Sequence, residues 1–288
     1  MSVFRAAAIQ MRSGTDVEHN ARDFEELVRQ AAGQGALYVQ TPEMTGAIVR
    51  DKEARAAAFT TQDRDLIVSS AARLSAELGL YLHVGSTAIL REDGKLANRA
   101  FLFGPDGGLI TSYDKIHMFD VDLDKGESWR ESSAYEAGKQ GMVADLPIGR
   151  LGFAVCYDLR FPQLFRAEAL AGASVLTVPA AFTRQTGEAH WHVLLRARAI
   201  ENGAWLVAAA QGGLHEDGRE TYGHSMIVDP WGRIVAEADH DEPGVTVAEI
   251  DTEASAAARR KIPNLRNARD FTIETVDAGP AGLRRAAS

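Results

Sequence analysis

Only one cysteine, Cys156, occurs in 288 residues. That scarcity excludes an intramolecular disulfide and any zinc site built from several cysteines. No apolar run approaches the length of a membrane helix, and the N-terminal Met1-Ser-Val-Phe-Arg5 segment turns polar too soon for a signal peptide. Positive charge is in deficit, with 31 Lys and Arg against 40 Asp and Glu, a formal net charge of −9. Without a basic stripe, no nucleic-acid partner is expected; the Arg259-Arg260 and Arg284-Arg285 pairs are short and near the C-terminus. No Ser/Gly-rich linker marks a boundary, so residues 1–276 read as one domain. The tail 277–288, with Gly279-Pro280-Ala281-Gly282, reads as poorly ordered unless a partner holds it. What remains is ordinary for a folded enzyme-sized chain: 45% apolar and 25% charged residues. A cytoplasmic setting with no membrane partner is the expectation.

Short Val/Ile/Ala-rich runs alternate with amphipathic stretches. Strands are predicted at Val3–Ile9, Ala36–Gln40 and Leu80–Gly85, with helices at Asn20–Ala32 and Asp63–Leu78. The turn Gly104-Pro-Asp-Gly-Gly108 predicts a hairpin between Asn98–Phe103 and Leu109–Tyr113. Further strands are expected at Leu151–Val155, Ala173–Val178 and Trp205–Ala210, with helices at Pro162–Leu170 and Glu188–Glu201. A closing meander covers Ser225–Val228, Arg233–Ala236 and Val245–Ile250. Alternation interrupted by hairpins predicts mixed sheets covered by helices rather than one purely parallel sheet.

Chemistry concentrates where strands end. Gly152-Phe-Ala-Val-Cys156-Tyr-Asp-Leu-Arg-Phe-Pro162 runs an apolar strand into a cysteine shortly before a helix. Such a bend lifts a thiol out of the sheet, leaves the Tyr157 N–H to face an oxyanion, and sets a helix N-terminus near that favours thiolate. The plainer reading is a small apolar side chain ending a buried strand. Glu43 follows a second strand end and Lys115 a third, and α/β sheets gather ligands at strand carboxyl ends. Alone, each is a solvated charge; together they supply a proton acceptor and an ammonium for the thiol.

Pro42-Glu43, Tyr113-Asp-Lys115-Ile-His-Met-Phe-Asp120 and the Cys156 block resemble the three signature blocks of the nitrilase (carbon–nitrogen hydrolase) superfamily, in that chain order. The resemblance spans residues 3 to 275 and implies an α/β fold, a four-layer α-β-β-α sandwich, and subunits that pair as homodimers or higher homo-oligomers. It further implies a Glu43-Lys115-Cys156 triad and a second glutamate, for which Glu131 fits the family pattern better than Glu127. Pro179-Ala-Ala-Phe-Thr183, Ala189-His-Trp191 and Tyr222-Gly-His-Ser-Met226 are similar to the amidase branch that includes ω-amidases and deaminated-glutathione amidases.

The activity so implied is a thiol amidase that needs no cofactor. It takes a small carboxylate-bearing amide through a Cys156 thioester to acid and ammonia. Deaminated glutathione is the favoured substrate; the alternatives are ω-amides of 2-oxo acids, N-carbamoyl compounds and aliphatic amides. Arg184 is the candidate clamp for the substrate carboxylate, and Arg160 is expected to pair with Asp158 and hold the bend. Tyr157, Phe182 and Thr183 are candidate binding residues, with Trp191 read as core. A rival metal site at His190-Trp-His192 is disfavoured, since i and i+2 do not share a helix face and no third ligand is evident. No metal is expected at the site.

Overall fold

The computed structural model describes residues 3–122 and 128–277. Glu127 and the tail beyond Asp277 lie outside the described residues.

The first sheet contains β1 (Val3–Gln10), β2 (Tyr38–Gln40), β3 (Tyr81–Leu90), β4 (Leu96–Phe103) and β5 (Leu109–Asp114). A short hairpin follows, β6 (Asp120–Asp122) with β7 (Ser128–Arg130). The second sheet is built from β8 (Val143–Leu146), β9 (Gly149–Phe153), β10 (Val175–Thr177) and β11 (Trp205–Ala208). After a second hairpin, β12 (Gly212–Leu214) with β13 (Glu220–Tyr222), come β14 (Met226–Val228) and β15 (Ile234–Glu237), which complete that sheet. The last strand, β16 (Gly244–Asp251), returns to the first. The orders are β16-β1-β2-β3-β4-β5 and β15-β14-β11-β10-β9-β8. In each sheet three parallel strands, β1-β2-β3 or β9-β10-β11, are flanked by antiparallel ones.

Side-chain alternation builds the layers. In β1, Ala6 and Ala8 join Tyr38, Leu102, Leu151 and Val175 in the core between the sheets. Their neighbours Ala7 and Ile9 face the other way, onto Phe24, Leu27, Val28 and Leu74 of α1 (Val17–Gly33) and α3 (Leu66–Leu78). The helices α4 (Pro162–Leu170) and α5 (Arg184–Asn202) cover the second sheet through Leu164, Phe165, Trp191, Leu195 and Ala199. The result is the expected α-β-β-α sandwich. Aspartates start four helices: Asp16, Asp51, Asp65 and Asp251 accept from the N–H groups of His19, Ala54, Val68 and Glu253, each cap contributing about 1 kcal/mol. Two of these helices, α2 (Lys52–Ala58) and α6 (Thr252–Lys261), have no counterpart in the sequence reading.

The sheets approach closely at one end. A Cβ on Gly85 would stand 2.0 Å from the Thr41 carbonyl and 2.3 Å from Pro179 of the opposite sheet, so only glycine fits there. This contact brings the carboxyl ends of β2 and β10 together.

Candidate active site

Three strand ends deliver three chemical groups to one place. Glu43 lies just beyond β2, Lys115 immediately after β5, and Cys156 three residues past β9. All three side chains are buried: Lys115 is 2% exposed, Glu43 4% and Cys156 6%. The Lys115 ammonium donates to Glu43 Oε1 at 2.9 Å and to both oxygens of Glu131, at 3.0 and 2.8 Å. Among the described residues Glu131 is the second glutamate on this ammonium, held in turn by the Phe119 N–H at 2.7 Å. The Glu43 carboxylate also accepts from the Ala181 N–H at 2.9 Å, a donor supplied by the second sheet.

Asn98, which the sequence reading passes over, completes the network. From β4 its amide donates to Glu43 Oε1 and Glu131 Oε1, both at 2.9 Å. The sequence offers only an amide opening the predicted strand Asn98–Phe103, and its burial is seen only in the fold. Gln211 locks the frame: its amide donates to the Ser13 hydroxyl (2.8 Å) and the Glu43 carbonyl (3.1 Å), while the Ser13 N–H donates back at 3.0 Å.

Cys156 takes a left-handed backbone, φ 51°, which costs a non-glycine residue roughly 1–2 kcal/mol. The bend is over-determined by its surroundings. Its N–H donates to the Pro179 carbonyl at 2.8 Å, and a 3-10 turn covers Cys156–Arg160. Asp158 accepts from the Val155 N–H (2.9 Å), the His117 N–H (3.0 Å) and the Tyr113 hydroxyl (2.7 Å), with the His117 ring at 2.6 Å. Asp158 is thus occupied without Arg160, contrary to the pairing expected from sequence. Arg160 reaches the His190 ring at 3.2 Å and lies 5.3 Å over the Phe182 ring.

Electrostatics assign protonation states. Burial pushes the Cys156 thiol up, the Glu43 charge and hydrogen bond push it further, and Lys115 opposes without prevailing. The helix-end stabilisation of thiolate expected from sequence is overridden, and the resting group is a thiol. Burial alone would raise Glu43, but Lys115, the thiol and Asn98 outweigh it and hold the carboxyl below its ordinary range. Burial likewise works against the Lys115 ammonium, yet the Glu131 and Glu43 charges lift it well above ordinary lysine. The pocket therefore holds a protonated sulfur, an ionised acceptor and a fixed cation.

These groups floor a cavity of about 300 Å3. Tyr157, Phe182 and Thr183 line it, with Phe119, Trp129 and Tyr135. Trp191 is core, its ring tilted at 53° against Phe182 with centroids 4.9 Å apart. Arg50, Arg55, Arg160 and Arg219 also line the cavity. Arg184 does not: its guanidinium binds Glu188, Glu220 and Asp241 on the exposed start of α5. The clamp expected at Arg184 is corrected on that ground.

A family model described as carbon-nitrogen hydrolase matches residues 5–260. Deaminated glutathione amidase from Synechocystis sp. is 38% identical over 271 residues, spanning 93% of this chain and 98% of that protein. The crystal structure of the C. elegans NitFhit protein aligns with a TM-score of 0.86 and 34% identity, covering 93% of this chain and 66% of that one. A mutant amidase from Nesterenkonia sp. AN1, with the acetamide moiety of fluoroacetamide added covalently at its active site cysteine, aligns at TM-score 0.77. It is 25% identical, with 99% of this chain and 97% of that one covered. The chain belongs to the carbon–nitrogen hydrolase family of the nitrilase superfamily. It is a hydrolase acting on the carbon–nitrogen bonds of amides.

Proposed function

We propose that the chain is a thiol amidase for a small, carboxylate-bearing amide, with deaminated glutathione as its substrate. The observation that carries the chemistry is the meeting of Cys156, Glu43 and Lys115 at one end of a single cavity. The Cys156 sulfur attacks the amide carbonyl as its proton passes to Glu43. The new oxyanion is stabilised by the Lys115 ammonium and the Tyr157 N–H. Collapse breaks the C–N bond, Glu43 returns the proton to the departing nitrogen, and a thioester remains on Cys156. Water then attacks with Glu43 as base, and the acid leaves as the thiol is restored. Glu131 and Asn98 act as positioning residues, holding Lys115 and Glu43 in register.

Carboxylate recognition falls to the arginines of the cavity rather than to Arg184. Among the described residues, Arg50, Arg55, Arg160 and Arg219 form no ion pair with a carboxylate. Arg160 is nearest in sequence to the nucleophile and comes off the same turn. A volume near 300 Å3 suits a ligand of a few residues and excludes a folded chain. One expectation is revised by chemistry: deaminated glutathione contains only secondary amides, so its leaving group is an amine, and ammonia is the product only of primary amides.

The deciding experiment measures free-amine release from deaminated glutathione beside ammonia release from 2-oxoglutaramate, aliphatic amides and N-carbamoyl compounds. Deaminated glutathione should give the highest kcat/KM. Preference for 2-oxoglutaramate would make the chain an ω-amidase, and preference for N-carbamoyl compounds would overturn the branch. The same reading includes a cytoplasmic homodimer. A buried thiol nucleophile suits a reducing compartment, and the exposed Val193, Ile200 and Trp231 offer apolar surface for pairing; sedimentation at monomer mass would refute the dimer. Among the described residues no helix is long and apolar enough to cross a membrane.

A further inference from the structure

We propose that His192, His224 and Glu237 form a binding site for a late first-row divalent cation, with Zn2+ the natural fit. The three come from separate elements: His192 from α5, His224 from the segment before β14, and Glu237 from the end of β15. His192 Nε2 lies 2.7 Å and His224 Nδ1 3.1 Å from the same oxygen, Glu237 Oε1. All three donor atoms fall within 4.8 Å of one another, the one such group of histidine, cysteine or carboxylate donors among the described residues. The triad stands outside the Cys156 cavity, none of its members lining that space.

Two imidazoles and one carboxylate are the donors that borderline cations prefer, and Zn2+ binds them at about 2.0–2.2 Å in a tetrahedron. Such bonds need neighbouring donors roughly 3.3 Å apart. The two nitrogen–oxygen separations, 2.7 and 3.1 Å, lie inside that value, so both nitrogens must move away from Glu237 Oε1, the nearer by about half an ångström, to admit the ion. The side chains are 33%, 21% and 23% exposed, open enough for an ion to enter and for water to take the fourth position.

The scaffold around His224 fixes its ring. Its backbone is left-handed, φ 58°, an unusual state for a non-glycine residue. The strain is held from both sides: the His224 N–H donates to the His240 carbonyl at 3.2 Å, and its own carbonyl accepts from Trp191 Nε1 at 2.9 Å. The ring stacks on Tyr222 at 4.3 Å and meets His192 at 66° and 5.4 Å. A carboxylate oxygen can accept from two imidazole N–H groups, so the geometry fits either a hydrogen-bonded cluster or a bound cation, and the titration below separates them. His190 belongs to a different group, facing Arg160, so the ligand set is not the His-x-His pair visible in sequence.

The test uses untagged, chelator-stripped full-length protein carrying Cys156→Ser, so that the thiol supplies no ligand. Zn2+ is titrated by calorimetry, and Co2+ is followed by visible absorption for tetrahedral bands. One Zn2+ per chain is expected, with a rise in melting temperature that chelator reverses. His192→Asn and the near-isosteric Glu237→Gln should each weaken binding by roughly tenfold or more, with melting in chelator close to that of the parent. Absence of stoichiometric Zn2+ binding overturns the proposal. So does binding of undiminished affinity in both variants.

Discussion

Replacing Glu43 by glutamine separates proton transfer from nucleophilicity. Besides the thiol, the carboxylate presents two oxygens to three nitrogen donors: Oε1 to Lys115 and Asn98, and Oε2 to the Ala181 N–H. A glutamine has one acceptor oxygen, and the ammonium and amide of Lys115 and Asn98 will claim it. Its NH2 then faces the Ala181 N–H, leaving a buried donor unsatisfied at a cost of about 1–3 kcal/mol. The fold survives with a melting point lowered by several degrees. Turnover loses its general base and acid together, a fall of roughly 10^2- to 10^4-fold in kcat. The thiol moves the opposite way. Burial still raises it, but the Glu43 charge that raised it further is gone while Lys115 still lowers it. Iodoacetamide alkylation followed against pH should therefore show a lower midpoint in Glu43→Gln than in the parent, although hydrolysis is crippled. A variant that hydrolyses within tenfold of the parent, or whose alkylation midpoint stays or rises, would refute the assignment of Glu43.

Other consequences of the network are equally measurable. Lys115→Met removes the oxyanion cation and should cost roughly 10^2- to 10^3-fold in kcat; it also strands Glu43 and Glu131 side by side, so a lowered melting temperature at neutral pH is expected, partly recovered in mild acid. Glu43 titrates below its ordinary 4.5 in the folded chain, so its stabilisation is complete above that pH and is lost as pH falls through the depressed value. Lys115, raised above 10.5, contributes fully below that pH and loses its share only as pH rises past its elevated value. Urea melts across the acid range should show the parent losing more stability than Glu43→Gln, and equal slopes would contradict the shift. Arg160→Ala should raise KM for deaminated glutathione by roughly tenfold with little change in kcat, in line with the loss of a charge-assisted contact; Arg184→Ala should leave KM unchanged, and the reverse ranking would restore Arg184 as the clamp.

Much of this architecture is readable from the chain because burial imposes period. The strands β1, β4 and β9 carry short buried apolar runs, Ala6–Ile9, Ala100–Phe103 and Leu151–Phe153, and α1 carries an unbroken Phe24-Leu27-Val28-Ala31 stripe. The helices missed lack that signal, since α2 buries no residue and α6 only Ser255 and Ala258, and the missed strands β6, β7, β8, β12 and β13 are only three or four residues long. Helix α5 begins at Arg184, four residues earlier than its apolar pattern suggests, and that early start turns Arg184 outward among Glu188, Glu220 and Asp241. The meeting of Glu43, Lys115 and Cys156 was legible as three strand ends in family-like blocks. Asn98 was not, since one amide in a strand looks the same whether it faces solvent or a buried carboxylate. Arg160 was misread because sequence offers Asp158 as its nearest anion, whereas the fold gives that anion to Tyr113, His117 and the Val155 peptide.

The sulfur and its two charged companions ride on different slabs: Glu43 and Lys115 extend from the first sheet, Cys156 and the Ala181 N–H from the second. On the proposed mechanism, catalytic competence is thus a vernier on the alignment of the two slabs. A slip of an ångström at the seam pinned by Gln211 and Gly85 would silence the enzyme while circular dichroism still recorded every helix and strand.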